Sequence, residues 1–217
     1  MLDLRQLTKE LIQSGWQRGE ADTPADEAVL RAIGHRNLDL AERKRSVIEW
    51  LNRYKVLMGL PAETRAPIAS RIIAFADGRQ QESLYLDKDK IVNEFDKLGD
   101  CINEDVPQNR TGKSRVVTSL TSKALWCCYP NDVPIFDRNA VRALGVISRV
   151  CHLAPGRNQS EYASFVDVWL QVYSQVECVI QPADLSDCPY KVRALDRLLW
   201  YLGQDGFYDC SADSTIA

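Results

Sequence analysis

The amino-acid sequence predicts an all-α fold. Apolar residues recur at steps of three and four along most segments, as they do on one face of a helix. Glycine or proline follows many of these segments and marks where a helix should stop. No segment alternates apolar and polar residues in the manner of a half-buried strand.

Residues 1–78 are predicted to form an N-terminal helical layer. Its best-defined helix runs from Leu40 to Met58 and is ended by Gly59. The apolar face of this helix carries Val47, Trp50, Leu51, Tyr54, Leu57 and Met58. Other helices of the layer are expected at residues 2–12, 25–33 and 67–77. We expect this layer to supply core, with its Trp and Tyr residues packed internally.

Residues 79–217 are predicted to form a second helical layer that completes one compact unit with the first. A helix capped by Asp87 or Asp89 should begin this part. Further helices are expected at residues 120–128, 138–144, 162–179 and 190–202. Glu82 and Glu94 are carboxylates that could line a pocket here.

Composition predicts a cytoplasmic globular protein. The chain has 217 residues, of which 45% are hydrophobic and 26% charged, and this balance is ordinary for such a protein. No apolar run reaches the length of a membrane span. The N-terminal segment carries acidic residues and lacks the apolar core of a signal peptide.

Cysteine and histidine usage predicts neither a metal site nor a cofactor. The seven cysteines show no Cys-x-x-Cys spacing, and there are only two histidines. Reduced, buried thiols are therefore expected.

Positive charge is concentrated in one part of the chain. Residues 109–149 carry an excess of five positive charges although the whole chain has a net charge of −3, so the remainder carries −8. The basic residues are Arg110, Lys113, Arg115, Lys123, Arg138, Arg142 and Arg149. This excess indicates a nucleic-acid-binding face, with a solvated charged surface as the alternative.

Within this basic part, an acid lies at a joint between two predicted helices. Proline and polar residues from Tyr129 to Asp132 stop the first helix, and Val133–Phe136 is short, apolar and extended. Asp137 then opens a helix that Gly145 is expected to end. The partial positive charge at a helix N-terminus favours an ionised carboxylate there.

The stretch from Ser119 to Gly145 resembles the core of the helix-hairpin-helix DNA glycosylase superfamily. That family has a helix, a short apolar segment and an aspartate that opens another helix, in a pattern like P-x-x-x-x-V-D-x-x-V-x-R. Pro130–Arg142 is the counterpart here, with Asp137 in the place of the catalytic acid. The Ser122–Leu125, Val133–Asp137 and Asp196–Trp200 segments are similar to those of an outlying bacterial branch.

The chain departs from the family in two places. The hairpin motif L-P-G-hydrophobic-G has no glycine in its counterpart here, Val116–Leu120. The lysine of bifunctional members also lies about four residues further from the aspartate than Lys123 does. This spacing favours a monofunctional enzyme.

The resemblance implies a glycosylase-like helical core over residues 79–217 and a site built on Asp137. Such an enzyme flips a base out of double-stranded DNA and cleaves its N-glycosidic bond. Asp137 would stabilise the cationic sugar, and Lys123 would form a Schiff base if it reached that sugar. The candidates for contact with DNA are Lys113, Arg115, Ser119, Ser122, Arg138 and Arg142.

Some bacterial glycosylase-like proteins excise modified bases from phage DNA, so an unusual or phage-modified base is the expected target. The expected partner is DNA, with no membrane, and the protein is expected to be a monomer. One alternative is a helical DNA-binding or adaptor module without activity, in which Asp137 only caps its helix. Another is a protein-interaction domain.

Overall fold

The all-α class is confirmed by a computed structural model of the chain, which describes residues 9–79, 83–106, 118–157, 159–180 and 190–204. Within these ranges the secondary structure is helical, with no strand. The helices are α1 (Lys9–Arg18), α2 (Thr23–Gly34), α3 (Leu40–Arg53), α4 (Ala62–Asp77), α5 (Lys88–Asn103), α6 (Thr118–Cys128), α7 (Arg138–Cys151), α8 (Glu161–Ile180) and α9 (Lys191–Leu202), with a short 3₁₀ helix at Glu20–Asp22. None of the described helices is both long enough and apolar enough to cross a membrane.

The contacts divide the chain into two compact units. The first unit contains Met1–Ala21 and Pro134–Ala217, and the second contains Asp22–Val133. Helices α1, α7, α8 and α9 therefore belong to the first unit, and α2 to α6 belong to the second. The predicted boundary after residue 78 falls between α4 and α5.

In the second unit, α3 has the predicted buried face but ends earlier than predicted. Val47, Trp50 and Leu51 are almost fully buried. The helix stops at Arg53 and not at Met58, because Lys55 adopts a left-handed backbone with φ 56°.

Aromatic residues pack the interior of the second unit, as the sequence predicts. The Trp50 and Trp126 rings stack with their centroids 5.7 Å apart. The Trp50 indole donates a hydrogen bond of 2.8 Å to the buried carboxylate of Asp26, and the Tyr54 hydroxyl donates one of 2.9 Å to the same oxygen. These side chains are thereby engaged in the core.

Buried Arg43 joins three helices of the second unit. Its guanidinium donates to the carbonyls of Ala32 and Ile33 near the end of α2, at 2.7 and 3.3 Å. It also donates to both carboxylate oxygens of Asp77, the last residue of α4, at 2.9 and 2.8 Å. The Arg43 hydrogen bond lowers the pKa of Asp77 below its usual range.

In the first unit, α1 packs on α9 at a glycine. A Cβ at Gly15 would lie 2.8 Å from the Cα of Leu198, so a larger residue would push the helices apart. The predicted end of the first helix at residue 12 is wrong, because α1 continues to Arg18. Residues 1–8 lie outside the described part of the chain.

We expect Asp77→Asn to destabilise the protein by about 1–2 kcal/mol at pH 7, because Arg43 loses its charged partner. The pKa of Asp77 is lowered by folding, so its contribution is present above the unfolded pKa. It should fade as the pH falls below that value, near 3.8. Urea unfolding of both proteins from pH 7 to pH 3 measures the difference.

Glu49→Gln makes the same change of charge at an exposed position of α3 and is the control. A gap between wild type and Asp77→Asn that widens as the pH falls would contradict the role given to Arg43.

Candidate functional site

The extended segment before α7 is held by a buried carboxylate. The Ile135 backbone N–H donates a hydrogen bond of 3.1 Å to Oδ2 of Asp196 on α9. The Trp169 indole on α8 donates one of 3.1 Å to Oδ1 of the same residue. Asp196 is only 3% exposed. Two segments that carry the resemblance, one around Ile135 and one that begins at Asp196, are therefore in direct contact.

A buried tyrosine holds the same segment from α8. The Tyr162 hydroxyl donates a hydrogen bond of 3.2 Å to the carbonyl of Pro134. Burial, followed by the nearby charge of Asp196, raises the pKa of Tyr162 well above its usual value. The hydroxyl therefore keeps its proton and remains a donor at neutral pH. The Phe136 ring packs edge-on against Phe165, with centroids 5.1 Å apart.

Asp137 is the N-cap of α7, which confirms its predicted place at a helix N-terminus. Its backbone is extended, and its Oδ1 accepts a hydrogen bond of 2.8 Å from the Asn139 N–H. The residue as a whole is partly exposed to solvent. The arrangement therefore presents an oriented acid at the positive end of a helix.

The C-terminal end of α9 sets the position of the first turn of α7. Gly203 is the C-cap of α9. A Cβ at Gly203 would overlap the backbone carbonyl of Asn139. Glycine is the residue type that permits this approach, so the place of Asp137 depends on it.

The exposed face of α7 is basic. Arg138, Arg142, Gly145 and Arg149 are exposed, and at about 100° per residue they lie within roughly 60° of one another around the helix. The opposite face is buried through Ala140, Ala143, Leu144 and Ile147. We call the first set the arginine face of α7. It begins beside Asp137, and Arg138 and Arg142 are the two residues predicted there for DNA contact.

The prediction that Gly145 ends this helix is wrong. The helix continues to Cys151 and is capped by His152, whose backbone is left-handed with φ 54°. A Cβ built on Gly145 has no neighbour within 4 Å. Gly145 therefore lies at an exposed position in the interior of α7, where glycine lowers the stability of the helix without ending it.

The predicted residues of α6 are mostly buried. Lys123 is 1% exposed, and its Nζ donates a hydrogen bond of 2.9 Å to Ser119 Oγ. Ser122 is fully buried, and its hydroxyl donates to the Ser119 carbonyl at 3.1 Å. In this conformation neither Lys123 nor Ser122 is presented to a DNA backbone. Ser119 is partly accessible.

The predicted site residues lie in both units, and some lie outside the described ranges. Asp137, Arg138 and Arg142 belong to the first unit, whereas Lys123, Ser119 and Ser122 belong to the second. Lys113 and Arg115 lie outside the described residues.

No role in positioning the start of α7 was predicted for Asp196 or Gly203. Asp196 opens one of the segments that carry the resemblance, and this was the available signal. The contact of Gly203 with α7 has no local signal, because it depends on how two distant helices meet.

Comparisons with protein-family models, curated proteins and solved structures found no significant match to the chain. The resemblance to helix-hairpin-helix glycosylases stays a prediction from the sequence.

Substitution by alanine should have opposite effects at Gly145, within α7, and at Gly203, which packs against α7. Gly145→Ala should stabilise the protein by up to about 1 kcal/mol, because alanine favours an exposed helix interior. Gly203→Ala should destabilise it by about 1–3 kcal/mol, because its methyl group would overlap the Asn139 carbonyl. Urea unfolding of both variants measures these changes. A shift of both in the same direction would refute the packing described here.

Proposed function

We propose that the protein is a DNA glycosylase-like hydrolase that excises a modified base from double-stranded DNA and leaves an abasic site. The observation that carries the proposal is the fixed presentation of Asp137. Asp196 and Tyr162 hold the segment before it, and its own side chain caps α7. Because the acid is already held in place, little reorganisation of the site is needed during a reaction.

The proposed reaction breaks the bond between C1′ of the sugar and the nitrogen of the base. The bonding electrons leave with the base, and positive charge develops on the sugar. The Asp137 carboxylate stabilises that charge, since it is negative and close to the scissile bond. Water then adds its oxygen to C1′, and its released proton balances the charge of the departing base.

The arginine face of α7 supports DNA as the partner. Arg138, Arg142 and Arg149 are aligned on one exposed surface beside Asp137. Arginine at such a surface pairs with phosphate through a planar, bidentate guanidinium. A strand lying along α7 would bring its sugars to the end where Asp137 lies.

The burial of Lys123 supports a monofunctional reaction. A Schiff base needs an accessible, unprotonated amine, whereas Nζ of Lys123 is buried and hydrogen-bonded to Ser119. The abasic product should then require alkali for strand scission.

A DNA-binding or adaptor module without activity is the second candidate. It is favoured by the hydrogen bond from Asn139 to Asp137, because an N-cap role alone accounts for an aspartate at this place.

The first test is base release from a panel of duplexes with normal, uracil-containing, oxidised, alkylated, hydroxymethylated and glucosylated bases. The last two represent phage-modified DNA. We expect release from at least one duplex, followed by alkali-dependent scission. Asp137→Asn should lower the rate by about 100-fold or more, because it removes the charge that stabilises the sugar cation. Its stability should change little, because asparagine caps helices as well as aspartate does.

Asp39→Asn is the matched control. Asp39 caps α3 by accepting from the Ala41 and Glu42 N–H groups, so the same substitution is made at an equivalent structural position. DNA binding without release from any duplex would favour the second candidate. If the protein neither binds DNA nor releases a base, both candidates are refuted.

A second test concerns the arginine face. Reversing Arg138 and Arg142 to glutamate should weaken duplex binding, because two phosphate contacts are lost. The slope of log affinity against log salt concentration is negative, and its magnitude should decrease by about two. Electrophoretic or fluorescence titrations at several salt concentrations measure this slope.

Arg31→Glu with Arg45→Glu makes the same change of charge at exposed positions of α2 and α3. Equal loss of affinity in both double variants would show only an effect of net charge and would contradict a specific role for α7.

A further inference from the structure

A cavity of about 310 Å³ opens in the second unit. Arg79, Tyr85, Lys90, Asn93, Glu94 and Tyr129 are among the residues that line it. Its volume is at the lower end of the range found for small-molecule sites, roughly 300–1,000 Å³.

A strained turn carries Tyr85, one of the residues that line the cavity. Tyr85 and Leu86 are consecutive residues other than glycine, yet both have a left-handed backbone, with φ 55° and 53°. Such conformations persist where the surroundings impose them and are concentrated at functional sites. Here the buried Asp132 carboxylate imposes the turn by accepting hydrogen bonds from the Leu84 N–H, at 2.9 Å, and from the Ser83 hydroxyl.

This turn displays an aromatic ring to solvent. Tyr85 is 74% exposed, more than any other large hydrophobic side chain in the described ranges. The Nζ atom of Lys90 lies 5.2 Å from the centroid of this ring. The fold therefore holds a strained backbone while leaving the Tyr85 ring available as a stacking surface.

The charged residues that line the cavity carry a net positive charge. The buried Glu94 carboxylate accepts a hydrogen bond of 2.9 Å from Lys97 and is also paired with Arg79. Lys90 is a further cation of the cavity lining. Arg79 and Lys90 are the cations of the lining and Glu94 is its acid, so the lining itself carries a net charge of +1 and favours an anionic group on a ligand.

We propose that this cavity binds a nucleotide, with its base stacked on Tyr85 and its phosphate near Lys90 and Arg79. Nucleotides combine a planar ring, which can stack on Tyr85, with an anion, which can pair with Lys90 and Arg79. The Asn93 amide supplies a polar group for the edge of the base. The site lies within the second unit and does not depend on Asp137 or on base excision.

The test is calorimetric titration of the full chain with each of the four deoxynucleoside 5′-monophosphates. Inorganic phosphate, thymidine and a single-stranded trinucleotide are titrated in parallel. We expect at least one monophosphate to bind more tightly than phosphate or thymidine alone. The trinucleotide distinguishes a site for a free nucleotide from one for a nucleotide within a strand.

Three substitutions make the test specific. Lys90→Gln and Tyr85→Gly should each weaken nucleotide binding by about fivefold or more, whereas Tyr85→Phe should retain it. Glycine adopts the left-handed conformation without strain, so Tyr85→Gly should not lower the melting temperature. Lys44→Gln on α3 removes the same charge away from the cavity and should bind as wild type does.

Absence of binding to all four monophosphates and the trinucleotide, equal affinity for phosphate alone, or unchanged binding by Lys90→Gln would each overturn the proposal. Asp137→Asn should retain nucleotide binding at this cavity. Failure here is therefore distinct from failure of the proposed glycosylase, which is judged by base release.

Discussion

The first unit depends on one buried carboxylate, that of Asp196. A charge withdrawn from water is costly unless hydrogen bonds compensate it, and here Ile135 and Trp169 donate to its two oxygens. This single group ties an extended segment to two helices and fixes the direction from which the chain enters α7. The N-cap role of Asp137, the arginine face behind it and the proposed chemistry all follow from that direction.

The second unit uses the same physical solution at two other places. Asp132 holds the turn before α5, and Asp26 accepts from the aromatic side chains of Trp50 and Tyr54. Helices satisfy their own backbone groups, so the irregular segments and buried polar side chains are where fixed acceptors are needed. In both units, buried acids therefore determine the places where side chains of chemical interest reach the surface.

The sequence predicted what local physics determines. The buried face of α3, the all-helical class and the capping place of Asp137 follow from periodicity and from residue preference at helix ends. Features set by tertiary contact were missed. Gly145 was taken for a helix end because glycine usually marks one. Lys123 was a candidate because it resembles the lysine of bifunctional glycosylases, and its burial, which is rare for lysine, was not foreseen. Asp196 carries no local sign that it binds a segment some sixty positions earlier in the chain, at Ile135.

The arrangement of the units along the chain also bears on the order of folding. The first unit combines the N-terminal residues 1–21 with residues 134–217, whereas the second is continuous from Asp22 to Val133. During synthesis α1 leaves the ribosome before the other described helices, whereas its partner α9 follows all of them. The continuous unit has all its helices available well before then and is free to fold as a domain. Helix α1, with its tight glycine contact to α9, therefore lacks this native partner until α9 has been made.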